Sequence, residues 1–72
     1  MWRMTKQIAL TLNGEPRRFP PATIAQMLIQ VGLDERKIAV ERNAAIVSRS
    51  AYALTWLAEG DAIEIVHFIG GG

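Results

Sequence analysis

Residues 6–31 read KQIALTLNGEPRRFPPATIAQMLIQV, and this stretch decides the fold. Its first part places apolar side chains at every second position: Ile8, Leu10 and Leu12. A period of two predicts a strand with one buried face. Asn13 and Gly14 follow, the pair typical of a two-residue type I′ turn. The chain is therefore expected to return as a second strand and form a β-hairpin.

The second part of the stretch predicts a helix that packs on this hairpin. Two prolines end the second strand, because proline cannot donate to a sheet ladder. Thr23 and Gln26 have the spacing of a capping box, and Gly32 stands where a left-handed helix end is expected. One apolar stripe follows the helical spacing: Ile24, Met27, Leu28 and Val31.

The remainder predicts a second strand pair, a short helix and a final strand. Strands are expected at 38–42 and 45–47, with a turn at Asn43, and Ser50 is expected to cap a brief helical turn. The last strand is expected at 62–69. This order predicts an α+β, ubiquitin-like β-grasp fold: a mixed four- or five-stranded sheet, one main helix on one face and a short second helix. Its first and last strands should lie parallel at the centre.

Size and charge limit the classes of function. The 72 residues allow one domain, expected at 1–69, with a flexible glycine tail at 70–72. Eight Lys and Arg against seven Asp and Glu give a net charge of +1, which argues against a nucleic-acid binder. No apolar run approaches the ~20 residues of a membrane span. We expect a cytoplasmic protein without membrane contact.

Conventional catalytic groups are sparse. The chain has no cysteine and one histidine, and no spacing of residues predicts a metal site. His67 is interpreted as a surface histidine, with a general base as the alternative. Trp56 is interpreted as a packing residue, with an exposed binding residue as the alternative. The pairs Arg17-Arg18 and Arg36-Lys37 are expected to be solvated surface rather than a patch for an acidic partner. The chain by itself is therefore not expected to be an enzyme.

The end of the chain carries the main functional hypothesis. A strand leads directly into Gly70, Gly71 and Gly72, and glycines without Cβ atoms fit a channel too narrow for side chains. Alternation along that strand places Val66 and Phe68 on the outward face with Glu64. Two exposed apolar side chains beside a thin tail indicate a docking patch. A bend near Val66 or a covering loop is the alternative.

The chain resembles the ThiS family, the sulfur carriers of thiamin biosynthesis, from Met4 onward. The resemblance is carried by LNGE at 12–15, TIAQML at 23–28, IAVERN at 38–43, IVSRSAYA at 46–53 and EGDAIEIVHFIGGG at 59–72. Two positions depart from the family pattern. Ala44 stands where glycine is frequent, and Ser48 stands where proline is common, so both departures concern loop geometry.

The resemblance implies a sequence of reactions at the C-terminus. A ThiF-like adenylating enzyme uses ATP and Mg to activate the Gly72 carboxylate, and a persulfide donor supplies sulfur. The resulting thiocarboxylate donates sulfur on a ThiG-like thiazole synthase. Gly70 and Gly71 are then the threading arm, and Val66, Phe68 and Ile69 are the docking residues. This chain itself binds no cofactor.

Three other functions share part of this pattern. The small subunit of molybdopterin synthase has the same glycine end and the same activation step. A ubiquitin-like modifier would form an isopeptide bond with a lysine. A plain interaction module would show no ATP-dependent modification.

Overall fold

A computed structural model of the chain describes residues 6–68; the termini, 1–5 and 69–72, lie outside this range. The prediction of a domain ending at 69 and a tail at 70–72 therefore stays a prediction. The described part contains five strands, one α-helix and two 3-10 turns. The strands and helix are β1 Ile8–Leu12, β2 Glu15–Phe19, α1 Ile24–Gln30, β3 Ile38–Arg42, β4 Ala45–Val47 and β5 Ala62–His67, and the 3-10 turns are Glu35–Lys37 and Arg49–Ala51.

The strands form one mixed sheet in the order β2-β1-β5-β3-β4. β1 and β5 are parallel neighbours, and the other pairs are antiparallel. The last strand of the chain therefore occupies the centre of the sheet. This is the predicted β-grasp fold. The sheet has five strands, the larger of the two numbers expected.

Two tight turns of the same kind close the two hairpins. Asn13 and Gly14 have φ angles of +50° and +82°, and Asn43 and Ala44 have φ angles of +53° and +69°. Positive φ at both central residues defines the type I′ turn, whose twist matches that of the strands. Asn and Gly enter this region readily, whereas Ala44 is a strained choice.

Helix α1 begins with the predicted capping box. The Gln26 backbone N–H donates to Thr23 Oγ1 at 3.2 Å, and the Thr23 backbone N–H donates to Gln26 Oε1 at 2.9 Å. The helix ends at Gln30, with Val31 as its C-cap, and Gly32 follows with φ of +80°. Nowhere in residues 6–68 is a helix long and apolar enough to cross a membrane.

The core lies between α1 and one face of the sheet. Alternate strand residues point into it, and full burial of such side chains stabilises by about 1.5–3 kcal/mol each. The buried apolar residues are Leu10, Phe19, Ala22, Ile24, Met27, Leu28, Ile38, Val40, Tyr52, Leu57, Ile63 and Ile65.

The predicted short second helix is present as a single 3-10 turn, Arg49–Ala51. Ser50 lies inside this turn and the residue before it is Ser48, whose side chain makes no capping bond, so the prediction of Ser50 as the cap is wrong. One further turn follows, with the Leu54 N–H donating to the Ala51 carbonyl at 3.0 Å, and the backbone then bonds to the start of α1. Ala25 N–H donates to the Tyr52 carbonyl and Ile24 N–H to the Thr55 carbonyl, which removes the acceptors of a longer helix.

Candidate docking face and carrier terminus

The face of the sheet opposite α1 is the candidate docking face. Residues opposite each other on paired strands point to the same side. Val66 of β5 lies opposite Ala39, and Glu64 lies opposite Glu41, while the intervening Ile65 points into the core. The open face therefore collects the outward residues of β5 and β3.

Val66 and Phe68, the two predicted docking residues in the described range, are exposed on this side of β5. Their side chains are 58% and 55% exposed. The strand does not bend at Val66, because pairing continues to His67 and the Phe68 N–H donates to the Lys37 carbonyl at 3.0 Å. Ile69, Gly70, Gly71 and Gly72 lie outside the described residues.

Ile46 extends this apolar face, and sequence reasoning missed it. It lies opposite Glu41 on β4, so it points to the same side as Val66, and it is 78% exposed. β4 has only three residues, too few for alternation to assign a face. The register of the β3–β4 hairpin supplies the missing information.

Two carboxylates separate the apolar parts of the docking face. Glu41 and Glu64 are directly opposite on neighbouring strands, a pairing that is destabilising for like charges. Neither forms an ion pair within residues 6–68, where the two ion pairs join Arg36 to Asp34 and Arg42 to Asp61. Across β3, β4 and β5, the open face therefore has apolar residues on either side of an acidic pair.

Asp61 anchors the start of β5. It is 4% exposed, and its carboxylate accepts from Arg42 Nε at 2.9 Å, the Ala58 N–H at 2.8 Å and Asn43 Nδ2 at 3.1 Å. Burial alone would raise the pKa of Asp61, but these donors outweigh it and hold the pKa below its usual value. The ionised carboxylate thus ties the turn before β5 to the end of β3.

The remaining candidate residues lie at the surface of the described part of the chain. His67 is exposed, and no hydrogen bond to its side chain is found among residues 6–68. Ser48 and Ser50 lie 3.4 Å apart at their Oγ atoms, and within residues 6–68 neither hydroxyl bonds to a His, Asp or Glu side chain. Arg36 pairs with Asp34 at the surface. Within the described range, no three His, Asp or Glu side chains are placed to hold a metal ion.

Trp56 does not pack into the core, contrary to the sequence-based interpretation. Its side chain is 59% exposed. Its backbone instead forms an isolated bridge with Thr23, and the neighbouring Leu57 is the buried residue. The segment is extended at this point, so its side chains alternate between the core and solvent.

Comparison with known proteins connects the whole of this arrangement to one family. A model described as the ThiS family matches residues 10–72. The sulfur carrier protein ThiS of Bacillus subtilis is 38% identical over 65 residues, which cover 88% of this chain and 98% of that protein. The crystal structure of the thiamine biosynthesis protein ThiS from Geobacter metallireducens superimposes with a TM-score of 0.78. It is 29% identical, covering 90% of this chain and all of the other.

Longer proteins also contain a region like this chain. A thiazole synthase of Paramagnetospirillum magneticum is 50% identical over 64 residues, 88% of this chain but 20% of that protein. A thiazole synthase of Magnetococcus marinus is 50% identical over 62 residues, 85% of this chain and 19% of that protein. The chain therefore spans about a fifth of the length of these two curated relatives. Given the family match over residues 10–72 and the near-complete alignment with the Bacillus carrier, the chain belongs to the ThiS family.

Proposed function

We propose that this chain is a sulfur carrier of thiamin biosynthesis, a substrate of its partner enzymes rather than an enzyme. The observation that carries the proposal is the match to the ThiS family, which runs through to Gly72 and so includes the terminal glycines. The Bacillus relative, aligned over almost its whole length, is named a sulfur carrier. No comparable observation favours the molybdopterin or protein-modifier alternatives.

The proposed chemistry takes place at the Gly72 carboxylate. A carboxylate is a poor electrophile, because attack adds charge to an anion. Its oxygen therefore first attacks the α-phosphate of ATP on a ThiF-like enzyme, displacing pyrophosphate and forming an acyl-adenylate. A persulfide sulfur then attacks the acyl carbon and AMP leaves. A thiol cleaves the resulting S–S bond, which yields the thiocarboxylate and a disulfide.

Val66, Phe68 and Ile69 are the proposed contacts with these partners, and Gly70 and Gly71 the threading arm. Val66 and Phe68 support this role by their exposure next to the end of β5. Exposed apolar side chains that share one face are the usual core of a protein interface. Ile46 belongs to the same face and extends the proposed contact to β4.

A ThiG-like thiazole synthase is the proposed sulfur acceptor. Two relatives named thiazole synthase contain a region 50% identical to this chain. Placing a carrier region and a synthase in one polypeptide raises their effective concentration to the millimolar range for short linkers. Fusion of the two regions is useful where the carrier must bind the synthase. It therefore supports binding between this chain and a separate ThiG-like synthase.

The test is the intact mass of the chain after incubation with ATP, Mg, a ThiF-like enzyme and a persulfide donor. We expect the mass gain of one sulfur-for-oxygen exchange in the C-terminal peptide. Deletion of Gly72 should abolish the gain while circular dichroism and melting temperature stay unchanged. An unmodified mass with a demonstrably active enzyme, or charging of the shortened chain, would contradict the proposal. Conjugation to added amines instead of sulfur transfer would identify a modifier.

Docking is tested by charge substitution on the open face. Phe68→Asp should weaken binding to the ThiF-like enzyme and to the synthase about tenfold, the equivalent of about 1.4 kcal/mol. Ile29→Asp is the matched control, since Ile29 is 78% exposed on α1, in the layer across the sheet. Titration calorimetry gives both affinities. Equal affinities for the two variants would exclude the open face as the docking site.

A further inference from the structure

Strand β5 extends beyond the end of its parallel neighbour β1. Thr11 and Leu12 pair with Ala62 and Ile63, and the Asn13 backbone N–H donates to the Ile63 carbonyl at 2.8 Å. In a regular parallel ladder the next bond would join the Ile65 N–H to the Asn13 backbone carbonyl. The backbone leaves this path at Asn13, where φ is +50° and the hairpin turn begins.

The Asn13 side chain continues the ladder in place of the missing backbone. The Ile65 N–H donates to Asn13 Oδ1 at 2.7 Å, and Asn13 Nδ2 donates to the Ile65 carbonyl at 3.3 Å. One carboxamide thus supplies both the acceptor and the donor that a longer β1 would supply. Both backbone groups of Ile65 on this side are satisfied by one side chain.

We propose that Asn13 is a positioning residue for sulfur transfer, holding Ile65 so that the docking residues Val66 and Phe68 keep a fixed orientation on the sheet. The proposal rests on the carrier function proposed above. Val66 directly follows the residue that Asn13 holds, and Phe68 is two positions further on. A carrier contributes geometry to the reaction, and geometric placement is a large part of rate enhancement.

Asn43 provides a matched counterpart at the other end of β5. It occupies the same position of its turn, with φ of +53°. Its side chain likewise takes the place of a backbone hydrogen-bonding group, on the side of β5 that faces β3. The Ala62 N–H donates to Asn43 Oδ1 at 2.8 Å, and the Asn43 N–H donates to the Ala62 carbonyl at 2.8 Å. The two asparagines therefore hold the same strand, but only Asn13 acts next to the docking residues.

The experiment compares Asn13→Gly with Asn43→Gly, with Asn13→Asp as a third variant. Glycine retains the positive φ of either turn and removes only the carboxamide, and aspartate retains the acceptor but not the donor. Amide hydrogen exchange is measured for β5, and kcat and KM are measured for charging by the ThiF-like enzyme and for transfer on the synthase. All measurements are made under solution conditions in which each variant is fully folded.

We expect Asn13→Gly to speed exchange at Ile65 and Phe68 and to lower kcat/KM roughly tenfold. Asn13→Asp should give an intermediate value. Asn43→Gly should speed exchange at Ala62 and leave kcat/KM within about twofold of wild type. Equal kinetics for the two glycine variants, or wild-type kinetics for Asn13→Gly, would overturn the positioning role. Failure to charge the wild-type chain would instead refute the carrier function itself.

Discussion

Replacement of Ala44 by glycine is expected to stabilise the protein. Ala44 is the second central residue of the β3–β4 turn, with φ of +69°. An L-residue with a Cβ atom in this region costs about 1–2 kcal/mol relative to glycine. The side chain is exposed, so its removal sacrifices no core packing.

The gain is reduced by an opposing term in the unfolded state. Glycine has more conformational freedom than alanine in the unfolded chain, which costs about 0.4–1 kcal/mol on folding. The net gain for Ala44→Gly should be about 0.5–1 kcal/mol, or about 2–8 °C in melting temperature for a domain of this size. Urea titration followed by circular dichroism gives the change in midpoint, with the slope expected to be unchanged.

Gly14→Ala is the reciprocal control at the equivalent position of the other turn. Gly14 has φ of +82°, and a Cβ atom there would have no neighbour within 4 Å. The substitution therefore tests backbone strain alone and should destabilise by about 0.5–1 kcal/mol. A loss of stability in Ala44→Gly, or no loss in Gly14→Ala, would refute the assignment of strain to this turn position.

Two further predictions concern charge. Asp61→Asn should cost about 2 kcal/mol, because Arg42 loses its partner in a largely buried site. The lowered pKa of Asp61 means that its contribution is complete above the unfolded pKa of about 4 and is lost as the pH falls through the folded value. Urea midpoints between about pH 2 and 7 should therefore fall on the acid side, less so in Asp61→Asn; equal acid slopes would contradict this. Glu64→Gln should raise stability by about 0.5 kcal/mol at low salt and by less at about 1 M salt, because it relieves the pairing with Glu41 and salt screens that repulsion. An equal gain at both salt concentrations would exclude a charge effect.

The elements that could be predicted from the sequence are those with local signals. The Asn13-Gly14 turn and the alternation before it define the first hairpin, and Thr23 with Gln26 defines the start of α1. These signals act over a few residues, so the unfolded chain already favours the same local structure. The β-grasp topology then follows because the two hairpins and one helix have few ways to share one core.

The errors arise where tertiary contacts replace local preference. The segment after Ser50 is expected to be helical, but after the turn that ends at Leu54 its backbone bonds to residues 22–25, so the helix does not continue. Trp56 is exposed for the same reason. Ile46 was missed because the face of a three-residue strand is set by its partner, and partners are not encoded locally. The role of Gly72 rests on the sequence and the family, since this residue lies outside the described range.

Two ordinary turn signals also determine how the last strand is held. Glycine at Asn13 would form the same turn but leave both groups of Ile65 without a side-chain partner. Aspartate would accept from the Ile65 N–H but would place a second acceptor against the Ile65 carbonyl. At Asn43 the carboxamide must accept from the Ala62 N–H and donate to the Asp61 carboxylate. Only a carboxamide side chain supplies both the donor and the acceptor that each of these positions requires. The asparagine at each turn is therefore favoured by its hydrogen bonds to the distant strand as much as by the conformation of the turn. The requirement of the turn can be recognised from the sequence, whereas the hydrogen bonds required by β5 become apparent only from the strand order of the sheet.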